Sequence, residues 1–294
     1  MNHNPTYPPE YEASLNPLDR IRFYTPQLSK THKKIGRFIL ENYEKATFLT
    51  SAKMSQQCGV SESSVIRFSA ALGYSGYSEM QRELQEILKR RLSLSQRLEL
   101  TTETNSDSNS IMHNVMLQNI SSIRETMMSL DESSFQSAVE LLAHADRVFL
   151  YGQRSSYALV YFLGLELRWI RDNVVIINGH AQELDALSTI AKNDVFLAIS
   201  LPRYLKATTK VVQFVWEREI PTIVITDTKT SPLIPYAKVS LLANSEIYSY
   251  SDNIVPIAST ITALLNAIGA ATQPTSNEML ARNEQLWKSF DMYI

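Results

Sequence analysis

Residues 51–70 read SAKMSQQCGVSESSVIRFSA. Two short helical stretches, 51–59 and 61–72, meet at Cys58-Gly59-Val60-Ser61. Gly59 can take the left-handed backbone that a tight helix–helix turn requires. Ser55 is small where two helices would cross closely, and Met54, Val60, Val65 and Phe68 are spaced as a core. Ser61 reads as an N-cap, with Glu62 in the first turn, where a carboxylate meets the positive helix end. The pattern predicts a helix-turn-helix whose second helix projects Glu62, Ser63, Ser64 and Arg67 outward. Such a helix fits the major groove, and residues at its N-terminal end reach base edges. Arg67 can fork a guanine, and Ser63 and Ser64 can bond bases or phosphate. The helix starts at Ser51 and Ser61 suit phosphate oxygens. Lys53, with Lys30, Lys33 and Lys34, adds attraction that ignores base sequence. The alternative is an ordinary three-helix unit that binds nothing.

Charge separates this region from the rest of the chain. Residues 20–91 hold 13 Lys and Arg against 6 Asp and Glu, a net of +7, while the 294-residue chain totals −2. The remainder is therefore net −9. An anionic partner for one segment follows, unless the basic block is only a solvated face. Upstream, Ile35, Phe38, Ile39 and Tyr43 have helical spacing within 28–46. Residues 1–17, rich in Pro, Asn and Tyr, read as a flexible tail. Downstream, 78–100 reads as one longer charged helix. The polar run TTETNSDSNS at 101–110 reads as a linker.

Beyond the linker the period changes. The short apolar runs RVFLY (147–151), VVIIN (174–178), DVFLAIS (194–200), PTIVITD (221–227) and KVSLLA (238–243) alternate with helical stretches. Nearly continuous apolar strands alternating with helices predict a doubly wound parallel five-stranded α/β sheet covered on both faces. The expected order is an all-α helix-turn-helix domain at 18–100, a linker at 101–110 and an α/β domain at 111–294. Ligands of such sheets bind at the carboxyl ends of strands near the topological switch point.

Gly59-Val60-Ser61, Val65-Ile66-Arg67-Phe68 and Leu72-Gly73-Tyr74-Ser75-Gly76-Tyr77 resemble the helix-turn-helix of the RpiR (MurR/RpiR) family of bacterial transcriptional regulators. In that family a sugar isomerase (SIS) domain follows, and the order of segments agrees over about residues 18–270. The resemblance implies a cytoplasmic, non-catalytic regulator that binds double-stranded DNA and senses a small anionic, sugar-like effector. Tyr74, within the motif, joins Lys53, Ser61, Ser63, Ser64 and Arg67 as an expected DNA-binding residue.

The resemblance also indicates where the effector would sit. After the first strand, Tyr151-Gly152-Gln153-Arg154-Ser155-Ser156 opens a helix, with Gly152, Arg154, Ser155 and Ser156 expected at the ligand. Arg154 stands where the family's second glycine is expected. After the third strand, Ser200, Arg203, Tyr204 and Thr208 are expected at the ligand. The family pattern S-x-S-G-x-T keeps only Ser200; Pro202, Arg203 and Leu205 replace Ser, Gly and Thr. That departure leaves a phosphosugar and a sugar acid both open, since Arg203 can fork a phosphate or a carboxylate. Loops 226–232 and 248–252 are candidate walls, or simply a helix cap and a turn.

Other function classes are weighed on composition. The single Cys58 excludes an internal disulfide and a cysteine-rich zinc site. The five histidines show no close metal-ligand spacing, and G-x-G-x-x-G is missing, so no metal or dinucleotide cofactor is expected. No apolar run reaches the ~20 residues that cross a bilayer. The N-terminus does not read as a secretory signal. A sugar-phosphate isomerase is the competing reading, with His180 or Glu183 as its base. One reading helix covers about half an operator, so a homodimer or homotetramer is expected. The segment 277–294 is a candidate contact, with Met279, Leu280, Leu286, Trp287 and Phe290 near helical spacing.

Overall fold

Three helices of the N-terminal region start where the sequence supplies a cap. The computed structural model describes residues 17–91, 93–104, 107–245 and 249–293. It divides into two compact units, Met1–Arg97 and Leu98–Ile294. In the first, α1 (Pro17–Tyr24), α2 (Lys30–Glu41), the single turn α3 (Tyr43–Ala46), α4 (Ser51–Cys58), α5 (Glu62–Ala71) and α6 (Tyr77–Arg91) follow in order. Ser29, Thr50 and Ser61 each accept a backbone N–H at the start of α2, α4 and α5. Gly59 ends α4 at φ 60°, ψ 46°, the left-handed conformation expected of the turn. Ile21, Ile35, Ile39, Met54, Val65, Phe68 and Met80 are fully buried in one core. Of the residues expected there, Val60 is partly buried at its edge.

In the second unit, α8 (Ser108–Ser129) and α9 (Glu132–His144) precede five strands: β1 (Val148–Tyr151), β2 (Val174–Ile177), β3 (Val195–Ile199), β4 (Thr222–Thr226) and β5 (Val239–Leu242). All four strand pairs are parallel and the order is β2-β1-β3-β4-β5. The central strands are buried along their whole length, whereas the edge strands β2 and β5 are half-exposed. Alternate residues feed two cores. Val148, Leu150, Val195 and Leu197 pack with α9, α10 (Ser155–Ile170) and α13 (Val255–Ala271). Phe149, Tyr151, Phe196 and Ala198 pack with Val212 and Val215 of α12 (Lys206–Trp216) on the other face. A sheet covered on both faces is what the continuous apolar runs require.

Two expectations need correction. The polar run at 101–110, expected as the linker, is helical at both ends, with residues 105 and 106 outside the described set. The helix α7 (Leu94–Thr104) runs into it, and α8 begins at Ser108 with a capping box between Asp107 and Ser110. Ser and Asp here start a helix, the role in which such residues are favoured. The stretch 78–100 is two helices, α6 and α7, with residue 92 outside the described set. Of the expected tail, 1–16 lies outside the described residues, and Pro17, a residue suited to a first helical position, begins α1.

The C-terminal helix α14 (Thr275–Ser289) packs largely on its own unit. Met279 is buried, Leu280 lies on the core, and Trp287 meets the Trp169 ring edge-on at 5.6 Å. Leu286 and Phe290 stay exposed. Among the described residues, no single helix is long and apolar enough to cross a membrane. The pair α13 and α14 meets that test only by length and composition, bent by 107°.

Candidate functional site

The helix-turn-helix presents a polar face built on a buried one. Along α5, Val65, Phe68 and Ser69 turn inward, while Ser63, Ile66, Arg67 and Ala70 are exposed at i, i+3, i+4 and i+7. Ile66 is 46% exposed, an apolar side chain amid polar ones. Ser61 Oγ accepts the Ser64 N–H at 3.3 Å and lies 3.0 and 2.8 Å from the Ser63 and Ser64 hydroxyls. Arg67 Nη2 donates to both those hydroxyls at 3.5 Å, so the group is neutral apart from the guanidinium. The Ser51 hydroxyl donates to the Glu62 carboxylate at 2.5 Å and ties the start of α4 to the start of α5. His32 packs edge-on against Phe68, with centroids 5.8 Å apart. Burial, and then the Arg67 charge, hold its pKa below the usual value. Lys53 is exposed on α4.

Tyr74 departs from expectation. It is 5% exposed, lies in the core of its unit and donates its hydroxyl to Glu83 Oε2 at 3.1 Å. The Arg20 guanidinium stacks over its ring at 5.0 Å. Burial, followed by the Glu83 charge, raises its pKa. Its ring is part of the packing of this unit.

The switch point of the sheet lies between β1 and β3, since β2 and β4 leave in opposite directions. Two loops meet there. The first, Gly152–Arg154, leads into α10; the second, Ser200–Leu205, leads into α12. Neither helix start carries a side-chain cap; in α10 the Tyr157 N–H donates to the Arg154 carbonyl at 3.0 Å, and the N–H groups before it are the kind that suit an anion. A β-carbon on Gly152 would meet the Ser156 carbonyl oxygen at 2.9 Å, so glycine permits the loop to fold back on α10. Ser156, Ser200 and Thr208 are buried, whereas Ser155, Arg154 and Arg203 are exposed.

Hydrogen bonds stitch the loops together. Thr208 donates to Gln153 Oε1 at 3.2 Å. Ser155 donates to Asp252 Oδ2 at 2.7 Å, and the Tyr204 hydroxyl donates to Asp227. Beneath them, Thr226 Oγ1 donates to the Ser200 carbonyl at 2.9 Å and lies 3.0 Å from Ser231 Oγ. Tyr151, under the site, has its pKa raised by burial, with the Thr208 hydrogen bond opposing. The arrangement offers hydroxyls and amides to a phosphate, guanidiniums to an anion, and two carboxylates to sugar hydroxyls.

The N-terminal residues 15–91 match the model of the helix-turn-helix domain of the rpiR family, and residues 141–273 match that of the SIS domain. The chain belongs to the RpiR family. It is a transcriptional regulator with a helix-turn-helix and a SIS domain. The HTH-type transcriptional regulator HexR of Escherichia coli is 24% identical over 255 residues, covering 85% of this chain and 84% of its own. An uncharacterised HTH-type transcriptional regulator of Caldanaerobacter subterraneus is 25% identical over 226 residues, 77% and 79% of the two chains. Among solved structures, the Vibrio vulnificus NanR protein complexed with ManNAc-6P superposes with TM-score 0.57 at 20% identity, over 94% of this chain and 99% of that one. The sugar isomerase domain of an RpiR transcription factor from Sphaerobacter thermophilus gives TM-score 0.56 at 24% identity, over 58% and 97%. These likenesses establish the fold.

In this RpiR-family chain the expected effector residues lie on two adjacent loops and the helix starts they lead into: Gly152 and Arg154 on one loop, with Ser155 and Ser156 opening α10, and Ser200, Arg203 and Tyr204 on the other. Thr208 stands in the first turn of α12. Gln153, Asp227 and Asp252 join them through bonds spanning 55, 23 and 97 residues. No local pattern announces such partners; only the fold brings them together. Tyr248, in a candidate wall, lies outside the described residues. Glu183, considered above as a base, accepts the Asn178 N–H, and His180 is exposed at the start of the short helix α11 (Ala181–Leu184). A separate cavity of about 350 Å³ lies among Glu166, Trp169, Leu265, Gly269, Ser276 and Leu280, toward the far end of α10.

Proposed function

We propose that this regulator binds operator DNA through α5 and that a small anionic, sugar-like metabolite at the β1/β3 switch point alters that binding. The observation that carries the reading is the coexistence of two surfaces in one chain. Ser63, Ile66 and Arg67 project from a reading helix, and buried Ser156, Ser200 and Thr208 meet two uncapped helix starts. Lys53, Ser61, Ser63, Ser64 and Arg67 hold the duplex, with Arg67 at a base edge. The units at 18–100 and 111–294 act as head and sensor, working as a homodimer or homotetramer. The exposed Leu286 and Phe290 of α14 and Met112, Met116, Ile120 and Met127 of α8 support self-association. A metabolite shifts the reading heads only if it binds two arrangements with different affinity.

The test is selection of duplexes from a random pool by the full-length protein. It is followed by anisotropy titration of the selected duplex with and without sugar phosphates. Enrichment of one motif and a ligand-dependent Kd are expected. No enrichment at any salt concentration sinks the DNA reading. Turnover of a sugar phosphate would favour the isomerase reading instead.

A further inference from the structure

Ile66 is an apolar residue of α5 that the core of its unit leaves out. It is nearly half exposed, whereas Val65 before it and Phe68 after it are fully buried. The buried Ser69 donates its hydroxyl to the Ile66 carbonyl at 2.7 Å, so the backbone is held while the side chain stands free of the core. Among the described residues of this unit, the other exposed large apolar side chains are Phe48 and Leu94, neither of them on α5. Alanine would serve an exposed helix position better, because a β-branched side chain lowers helix propensity.

The charged side chains beside Ile66 are turned to other partners. Glu62, one turn earlier, accepts the Ser51 hydroxyl of α4. Arg67, the next residue, donates to the Ser63 and Ser64 hydroxyls at 3.5 Å. The exposed face therefore carries two rows along the helix. Ser63 and Arg67 make a polar row at i, i+4, and Ile66 and Ala70 make an apolar row beside it. Ala70 is short, so nothing bulky one turn on holds Ile66 away from a groove floor. Ile66 is the fifth residue of α5, in the N-terminal half that reaches base edges. An isoleucine in a helix has one strongly preferred χ1 rotamer, so little side-chain freedom is lost when it docks.

The major groove offers such a row one apolar group, the C5 methyl of thymine. Purines present N7 and O6 or N6 there. An isoleucine laid against those atoms removes water and returns no hydrogen bond. We infer that Ile66 is a specificity-determining residue whose side chain reads a thymine methyl in the operator. This rests on α5 being the reading helix, as proposed above, and adds an apolar contact to the polar ones.

The experiment uses the full-length protein and the duplex that it enriches from a random pool. Each thymine of one half-site is replaced in turn by 2′-deoxyuridine, which removes the methyl and keeps the base pairing. Kd is measured by anisotropy for the wild type, Ile66→Ala and Ile66→Val. In the wild type at least one replacement weakens binding about three- to fivefold, as expected for one buried methyl. In I66A the same replacement changes Kd by less than about 1.5-fold, while I66V keeps a preference of at least about twofold. Equal Kd for every thymine and uracil duplex overturns the inference and leaves α5 as the reading helix. So does a methyl preference that I66A retains in full. A Tm lowered by more than about 5 °C in both variants makes Ile66 a packing residue and overturns it as well. If no duplex is enriched at any salt concentration, the reading helix and the role of Ile66 fall together.

Discussion

Replacing Arg67 by alanine separates a reading helix from a mere packing helix. The fold should barely notice. Arg67 is exposed, its guanidinium touches only the Ser63 and Ser64 hydroxyls at 3.5 Å, and the core contacts of α5 come from Val65 and Phe68, both fully buried. Such a surface change is worth within about 0.5 kcal/mol of stability. On DNA the expectation is different. Removing a bidentate pair of hydrogen bonds to a base costs about 1–3 kcal/mol, or about 5- to 150-fold in Kd at one reading head. Anisotropy titration of a selected duplex between about 50 and 200 mM salt distinguishes base from phosphate recognition. A base contact leaves the salt slope unchanged and removes the preference for guanine at one position. A phosphate contact lowers the slope by about 1 and weakens all duplexes alike. Arg67→Lys keeps the charge and loses the fork, so it should resemble alanine for a base contact and the wild type for a phosphate contact. If R67A melts like the wild type and binds the selected duplex with unchanged Kd, the assignment of α5 as the reading helix is refuted.

Other expectations follow from specific side-chain pairs. In R67A the imidazole of His32 should titrate at higher pH by proton NMR, since one of the two influences that lower it is gone; an unmoved midpoint contradicts the geometry. Tyr74→Phe loses the hydrogen bond to Glu83 and should cost about 1 kcal/mol in urea melting while DNA affinity stays within about twofold. A fall in affinity like that of R67A would return Tyr74 to the DNA face. Gly59→Ala meets nothing within 4 Å, so its cost is the left-handed backbone alone, about 1–2 kcal/mol, and Gly59→Asn should cost less. The Asp194 side chain is buried, 2.7 Å from Arg147 Nη2, and accepts the Ala191 N–H. Burial pushes its pKa up, but the hydrogen bonds and charge of Arg147 and the Ala191 amide win and hold it below the usual range. A lowered folded value means the pair stabilises above the unfolded pKa and is lost as pH falls through the folded one. Asp194→Asn should therefore cost about 2–3 kcal/mol near neutrality, discounted because Arg147 is one-third exposed. That gap should close as pH drops below about 4; a constant gap down to about pH 3 would show that the ion pair is not its source.

Local chemistry was enough to place most elements. Gly59 between two caps dictated the turn, because few residues tolerate that backbone and none so freely. The five apolar runs dictated a sheet covered on both faces, because a strand with one face in solvent would alternate. Serine and threonine after β1 and β3 pointed to the ligand end, because strand carboxyl ends at a switch point are where such sheets leave a crevice. What tertiary structure alone decided was which side chains those elements leave free. Tyr74 carries the same phenol whether it faces DNA or Glu83, and only the packing of α1 and α6 around it chose the core. The run at 101–110 is polar in either state, and caps at Asp107 and Ser110 made part of it helical. Arg154 and Arg203 looked like departures from a glycine pattern. The fold kept the positive φ and left two exposed guanidiniums on the loops after β1 and β3, because loop geometry is set by the strands and helices it joins.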